Sequence, residues 1–223
     1  SSSPESNKNG MTKHNKLRDL ASLRQTVKRL ETQGRQRWQT QRGVSTGVKL
    51  LDQLLPEGGL ARGTLVEWFM GSGTENVGGL GAGAGALALR TACEAARDGG
   101  YVIVFDRLRR FFPPAAAAWG LDLKQVVLVR ADSVRDELWA LEQSLRCEGV
   151  AAVWGYWEQL DWRWFRRLQL AAEQGGTLAM LVRPGRASGK PSWADVQWWV
   201  KPVASEKQAS EKQASKSENN MQG

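Results

Sequence analysis

The amino-acid sequence predicts an α/β fold in which a mostly parallel sheet is flanked by helices. Two patterns between residues 44 and 200 support this prediction. Short apolar runs alternate with amphipathic helical segments, and a glycine-rich stretch follows the first run. The chain has 223 residues, of which 41% are hydrophobic and 24% charged, as in an ordinary globular domain. We therefore expect one α/β core over residues 44–202, followed by a disordered tail over residues 203–223 that repeats Ser-Glu-Lys-Gln-Ala.

The region before the core is polar and basic. Residues 1–14 have the composition of a disordered segment, and residues 15–43 predict an amphipathic helical arm. Residues 1–43 hold 10 Lys and Arg against 3 Asp and Glu, whereas residues 44–200 hold 17 of each kind. This excess favours an acidic partner such as single-stranded DNA, although it also fits a solvated helix face. The arm has an apolar stripe that consists of Leu20, Leu23, Val27 and Leu30. We expect this stripe to bind a partner or a second copy, or else to pack on the chain's own core.

Six apolar runs predict the strands of the sheet: Thr64–Phe69, Tyr101–Phe105, Val126–Val129, Val150–Trp154, Thr177–Val182 and Val196–Val200. Helical patterns lie between most of them, at Ala86–Arg97, Ser133–Cys147 and Asp161–Gln174. Runs that are apolar at nearly every position are typical of parallel strands, which are covered on both faces. The last run follows a loop without a helix, so we expect an antiparallel edge strand there.

The composition argues against a secreted, metal-binding or membrane protein. Two cysteines, Cys93 and Cys147, are typical of buried thiols in a cytoplasmic protein rather than of a disulfide framework. The sequence has a single histidine, His14, so we expect no metal site. No segment has the apolar length of a membrane span, and we expect no secretory signal.

The glycine-rich stretch over residues 71–85 lies where α/β folds bind phosphate groups, between the first strand and the next helix. A P-loop also needs a lysine for the phosphates and a serine or threonine for Mg²⁺. The sequence has no lysine between Lys49 and Lys124. We therefore expect no catalytic residues and no bound cofactor. The degenerate phosphate loop that we infer contains Gly71, Gly73, Gly83, Ala84 and Gly85.

A second interpretation of the same stretch is a dinucleotide-binding turn. Gly79, Gly81, Gly83 and Ala84 match its glycine pattern, and Asp106 ends the second strand, where such sites hold a ribose. A run this rich in glycine and alanine matches the pattern in several registers, so the alternative is a loop that binds no ligand.

Two segments ahead of the glycine-rich stretch resemble the entry to the RecA recombinase core. They are Ser45–Asp52 and Gly58–Glu67, and the second contains a Gly-Gly-Leu-x-x-Gly turn that leads into the first strand. Downstream, the spacing from Gly83 to Asp106 is that of the family. The resemblance covers roughly residues 44–200 and also includes Pro113, Gly120, Asp122 and Asp132.

The departures from the RecA family fall on its catalytic residues. Ala84 stands at the position of the P-loop lysine, and Gly85 at that of the Mg²⁺-binding hydroxyl. Leu108 stands where the family has its catalytic glutamate, and Gly155 and Tyr156 follow the fourth strand where it has an aspartate. The resemblance therefore implies a pseudo-ATPase, a RecA-like core without the groups for phosphoryl transfer.

Within the RecA superfamily the chain is similar to the ImuA family, the RecA-like accessory proteins of bacterial mutasomes. The similarity rests on the arm and on the loop Arg183–Arg186 that leads to Pro191–Val200. It implies a role in translesion synthesis during the SOS response to DNA damage. The implied partner is ImuB, an inactive Y-family polymerase homologue, or RecA. A second degenerate relative of RecA, the cell-division inhibitor SulA, which binds FtsZ, is the alternative.

The sequence has 11 tryptophans, and several of them lie between residues 154 and 164, next to arginines. Aromatic rings with guanidinium groups are typical of protein-binding hot spots and of single-stranded DNA sites. The alternative is that Trp162, Phe165 and Leu168 form the buried face of a helix. The predicted partner-binding residues of this cluster are Trp157, Trp162 and Trp164. The residues predicted to bind DNA weakly are Arg163, Arg166, Arg167, Arg183, Arg186 and Lys190. We expect the last three of these to lie in a mobile loop.

Overall fold

The computed structural model describes residues 43–71 and 83–202, which form a six-stranded sheet with helices on both faces. The predictions for the disordered start, for the arm up to residue 42 and for the tail lie outside the described residues. The strands are β1 Leu65–Met70, β2 Tyr101–Phe105, β3 Val126–Val129, β4 Val150–Tyr156, β5 Leu178–Pro184 and β6 Val196–Val200. The helices are α1 Lys49–Asp52, α2 Ala84–Ala95, α3 Pro113–Ala118, α4 Val134–Arg146 and α5 Trp162–Gly175.

The sheet has the strand order β3-β2-β4-β5-β1-β6, and every neighbouring pair is parallel. This architecture confirms the predicted α/β class. Strands β2, β3 and β6 have the predicted bounds, and α4 and α5 differ from prediction by one residue at each end. Helix α2 begins two residues earlier than predicted, because Gly83 takes a left-handed conformation with φ 91° and starts the helix at Ala84. The short helix α3, which was not predicted, begins with two prolines at positions that need no N–H group.

The prediction that the last strand is antiparallel is wrong. Strand β6 pairs with β1 in parallel, with Val66 beside Val196 and Met70 beside Val200. After β5, the chain turns at Gly185–Ala187 and returns through residues 188–195. Eight residues can span up to about 26 Å, which exceeds the length of β5, about 23 Å, so the return needs no helix.

The core has one layer on each face of the sheet. Alternation along β1 directs Val66, Trp68 and Met70 towards the small residues of α2 on one face. On the other face Leu65 packs beneath α4 and α5, with Phe165 of α5 fully buried. Every residue of β1 and β5 is buried, as is typical of central strands in a parallel sheet.

The loop that resembles the RecA entry is held together by the carboxylate of Asp52. It accepts hydrogen bonds from the hydroxyl of Ser45 at 2.6 Å and from the amide and hydroxyl of Thr46 at 2.7 Å each. Burial alone would raise the pKa of Asp52, but these hydrogen bonds hold it below its ordinary value. The depressed pKa adds stability at neutral pH, and this contribution is lost as the pH falls through the folded-state pKa.

Both cysteines are free thiols, and Cys93 is buried while Cys147 is half-buried. Burial raises the pKa of the Cys93 thiol to about 11, so it stays protonated and unreactive at neutral pH. Among the described helices, none has the length and apolar character needed to cross a membrane.

A buried ion pair joins the strands at the β6 side of the sheet. One carboxylate oxygen of Glu67, on β1, accepts from Nη1 of Arg183, on β5, at 2.6 Å. The other accepts from Oγ of Ser192 and from Nε2 of Gln197, each at 2.7 Å. The guanidinium carbon of Arg183 lies 4.9 Å from the ring centre of Phe165, so the cation is held between a carboxylate and an aromatic face. The side chains of the ion pair are 1% and 2% exposed, so each charge depends on the other for its stabilisation.

Replacement of Arg183 by methionine should destabilise the fold by about 3–5 kcal/mol, because it leaves the Glu67 carboxylate buried without its cation. Urea denaturation gives the free energy of unfolding. The matched control is Arg186→Met, since Arg186 and its partner Glu158 are both about half exposed, and it should change stability by less than about 0.5 kcal/mol. Equal losses in the two variants would contradict the role of the buried pair.

Candidate functional site

The carboxyl edge of a parallel sheet is where α/β proteins bind their ligands. In this chain the edge is formed by the residues that follow each strand. Gly71 follows β1, and its amide donates to the carbonyl of Val200 at 2.8 Å. A side chain at Gly71 would lie 2.7 Å from Cγ of Lys201, so the end of β6 closes tightly on this turn.

Helix α2 begins at this edge without a side-chain cap. Its N-cap is Gly83, and the next two residues, Ala84 and Gly85, are buried. Of the predicted degenerate phosphate loop, the structure therefore brings Gly71, Gly83, Ala84 and Gly85 to the carboxyl edge, whereas Gly73 lies outside the described residues. The first turn of α2 offers no charged or hydroxyl side chain, because its residues are alanine, glycine and leucine.

An indole occupies the position next to the start of α2. Trp154, on β4, is buried, and its Nε1 donates a hydrogen bond to the carbonyl of Gly85 at 3.0 Å. The same ring packs against Phe111 with a centroid distance of 6.0 Å. This bond fixes the first turn of α2 against β4 through the indole N–H of Trp154.

The carboxylate of Asp106 is used by its own loop. One oxygen accepts from the amides of Arg110 at 2.5 Å and Phe111 at 3.1 Å, and the other pairs with Arg130 at 3.2 Å. Asp106 is buried, so its hydrogen-bonding capacity is directed into the protein. This geometry does not favour the dinucleotide interpretation, in which Asp106 would hold a ribose. Gly79 and Gly81 of that interpretation lie outside the described residues.

Two cavities lie at opposite edges of the sheet. A cavity between Asp106, Arg110 and Trp154 has a volume of about 10 Å³, which is room for one water molecule. A larger groove of about 350 Å³ lies at the opposite, amino edge, beside Leu55 and Asp195. Within the described ranges, no group of three or more His, Cys, Asp and Glu side chains could hold a metal ion.

Two of the predicted binding residues lie in the core instead of on the surface. Trp157, predicted to contact a partner, is 3% exposed and packs on Phe105 at 5.6 Å. Arg183, expected in a mobile basic loop, lies within β5 and is 2% exposed. The expectation of a mobile loop is wrong for Arg183, because β5 extends two residues further than predicted. Trp157 follows directly after β4, which is also two residues longer than predicted. Arg186 pairs with Glu158, and Lys190 is exposed.

Helix α5 presents tryptophans and arginines together. Trp162 is 56% exposed, with the guanidinium carbon of Arg163 5.6 Å from its ring centre. Trp164 is half-buried, and Arg167 lies 4.4 Å above its ring. Arg167 also pairs with Glu142 on α4. The buried-face alternative therefore holds for Phe165 and Leu168 but not for Trp162.

Two exposed tryptophans of the same region were not predicted as binding residues. Trp193 lies in the return segment before β6, and the guanidinium carbon of Arg166 is 4.6 Å from its ring centre. Trp139 lies on α4 and is 60% exposed. Because Trp139 lies off the apolar stripe of Leu138, Leu141 and Leu145, its exposure could have been predicted from the sequence. The contact between Arg166 and Trp193 could not, because it depends on the tertiary fold.

Among known proteins, ImuA relatives match over most of both chains. The protein ImuA of Caulobacter vibrioides is 33% identical over 171 residues, which cover 73% of this chain and 69% of that protein. RecA of Chlorobium chlorochromatii is 31% identical over 114 residues, covering 51% of this chain and 30% of RecA. The crystal structure of SulA from Pseudomonas aeruginosa has 19% identity and a TM-score of 0.45, over 54% of this chain and 98% of that one. No family model matches the chain.

The hydrogen bond from Trp154 to Gly85 can be tested by Trp154→Phe. The substitution removes the indole donor while the Gly85 carbonyl stays in the backbone ladder of α2, so loss of this hydrogen bond should cost about 0.5–1.5 kcal/mol. Trp198→Phe is the matched control, because the indole N–H of Trp198 is buried and has no hydrogen-bond partner. The loss in the control should be clearly smaller, measured by chemical denaturation. If Trp198→Phe destabilises as much as Trp154→Phe, the hydrogen bond does not hold helix α2.

Proposed function

The chain belongs to the ImuA family, and on that premise we propose that it is a non-catalytic RecA-like accessory protein of DNA-damage tolerance. It acts in the cytoplasm during translesion synthesis in the SOS response, and it works through contacts with other proteins. The observation that supports this proposal best is the carboxyl edge of the sheet, where the family similarity would place ATP chemistry. That edge carries alanine, glycine and a buried indole instead of the residues of phosphoryl transfer.

The loss of ATPase chemistry is supported at each position that the reaction needs. The first turn of α2 supplies backbone groups but neither the P-loop lysine, replaced by Ala84, nor the Mg²⁺-binding hydroxyl, replaced by Gly85. Leu108 stands at the position of the catalytic glutamate, and its apolar side chain cannot orient a water molecule. Backbone N–H groups can bind an anion, but they cannot supply the charge that these side chains would bring.

The proposed partners follow from the family. They are an ImuB-like Y-family polymerase homologue or RecA, with single-stranded DNA as a weaker contact through the exposed arginines and Lys190. Two surfaces support association: the sequence stripe of the arm, at Leu20, Leu23, Val27 and Leu30, and the exposed tryptophans of the core. The nucleotide-binding alternative is weakened by Asp106, whose carboxylate is already engaged by Arg110, Phe111 and Arg130.

We expect neither ATP with Mg²⁺ nor NAD to bind the protein with a Kd below about 100 μM, which corresponds to roughly −5.5 kcal/mol. The physical reason is the absence of a phosphate-binding lysine and of a free acidic group at the second strand. Isothermal titration calorimetry measures this directly, with an active RecA protein as the positive control under the same conditions. A tighter constant for either nucleotide would overturn the non-catalytic assignment.

The arm should mediate association with the partner. The double substitution Leu23→Asp and Leu30→Asp removes two apolar side chains whose burial contributes about 3–6 kcal/mol. Pull-down with an ImuB-like protein and with RecA, together with light scattering, should then show loss of binding or a smaller assembly.

The matched control is Gln25→Asp with Thr32→Asp, which adds the same charge on the opposite side of the predicted helix. This variant should bind like the unmodified protein. Intact binding and unchanged assembly size in the leucine variant would reject the role of the arm. A lower melting temperature in that variant alone would show that the stripe packs on the chain's own core.

A further inference from the structure

We propose that the outer surface of helices α4 and α5 is a docking site for an acidic amphipathic segment of a partner protein. This proposal rests on the proposed function, a protein that acts through contacts with other proteins. It adds the chemical character of the segment that is bound. We call this surface the Trp–Arg face, and it consists of Trp139, Trp162, Arg163, Arg166, Leu170 and Trp193.

The apolar members of the Trp–Arg face are large and exposed. Trp139, Trp162, Leu170 and Trp193 are between 43% and 60% exposed. Helices α4 and α5 lie side by side, joined by the ion pair between Glu142 and Arg167. Trp139 lies one turn before Glu142, and Leu170 one turn after Arg167, so both are next to this junction. Several exposed apolar side chains in one region are typical of an interaction surface.

Two arginines near the start of α5 supply the positive charge of the face. Arg163 lies in the first turn, after the acidic N-cap Asp161, and Arg166 lies in the second turn, where its Nη1 donates to Oε1 of Gln169 at 2.6 Å. The amino end of a helix carries partial positive charge, so Arg163 adds a like charge there. Each guanidinium group is held beside an indole, Arg163 at Trp162 and Arg166 at Trp193. This arrangement fixes two positive charges at an exposed apolar surface.

Charge complementarity selects an acidic occupant. The chain's own arm is a poor one, because residues 1–43 hold 10 Lys and Arg against 3 Asp and Glu. A second copy presenting the same face would bring the same arginines together. Carboxylates of a partner would instead pair with Arg163 and Arg166 while apolar side chains of the same segment pack on Trp139 and Leu170.

A protein segment fits the face better than a nucleic acid. Residues 44–200 hold 17 basic and 17 acidic residues, so the core lacks the positive excess that attracts a polyanion over a distance. A guanidinium group lies over one face of each ring of Trp162, Trp164 and Trp193, which leaves at most one face of each for base stacking. Arg167, the third arginine of this part of α5, already pairs with Glu142.

The experiment uses synthetic probes and the full chain. A fluorescein-labelled helical peptide with leucine and phenylalanine on one side and glutamate on the other is compared with three reference probes. These are a scrambled peptide of the same composition, a peptide with lysine in place of glutamate, and single-stranded oligothymidine. Fluorescence anisotropy gives the affinity of each. We expect the acidic amphipathic peptide to bind at least about tenfold more tightly than each of the others.

Variants then assign the binding to the face. Arg163→Glu with Arg166→Glu should weaken binding of the acidic peptide by about tenfold or more, and Trp139→Ala by about fivefold. The control is Phe112→Ala with Lys124→Glu, which changes an exposed aromatic side chain and an exposed cation elsewhere on the core. The control should bind normally, and all variants should keep the melting temperature because the altered side chains are exposed.

Equal affinity for the acidic and scrambled peptides would overturn the proposal, as would equal weakening by the control variant. Tighter binding of oligothymidine, lost in the arginine variant, would identify the face as a DNA surface and reject the protein segment. Because the probes are synthetic, these outcomes are separate from the proposed function. The latter fails if neither ImuB-like protein nor RecA is captured, even where the peptide binds the face as expected.

Discussion

The arrangement of the sheet depends on the buried carboxylate of Glu67. A charge in this position is stable only with its full set of partners, and these come from β5, from the return segment and from β6. Glu67 and Gln197 lie opposite each other in the parallel pair of β1 and β6, so the Gln197 amide reaches the carboxylate from the edge of the sheet. The end of β6 then lies against Gly71, where the carbonyl of Val200 accepts its amide. A polar contact inside the core therefore shapes the edge at which a ligand would bind.

The carboxyl edge retains the framework of an α/β ligand site but has different interactions. The helix start at Ala84 and the acidic residue Asp106 after β2 are both present among the described residues. Their polar groups, however, face other parts of the protein: Gly85 accepts from Trp154, and Asp106 accepts from the backbone of its own loop. These contacts stabilise the fold. The proposed loss of ATPase chemistry is compatible with an intact fold, because packing and catalysis depend on different side chains.

The exposed side of α4 and α5 differs from the carboxyl edge, because its side chains face solvent instead of other parts of the protein. Its exposed aromatic and basic side chains contribute little to the core, and Arg163, in the first turn of α5, opposes the helix dipole. Residues with a cost to local stability are expected where function requires them. Arg163 and Arg166 are exposed here beside Trp162 and Trp193. If the protein works by contact, as we propose, this surface takes the place that the carboxyl edge has in an ATPase.

The sequence by itself determined the α/β class, the positions of the strands and long helices, and the absence of P-loop side chains, because apolar periodicity and residue identity are local properties. It did not determine the direction of β6, the burial of Arg183 and Trp157, or the pairing of Arg166 with Trp193. Glu67 and Arg183 are 116 positions apart in the chain, and Glu67 and Gln197 are 130 apart. Whether such residues meet depends on the order of the strands in the sheet. Only the tertiary structure decides that order, because the free energy of a buried contact depends on all of its partners together.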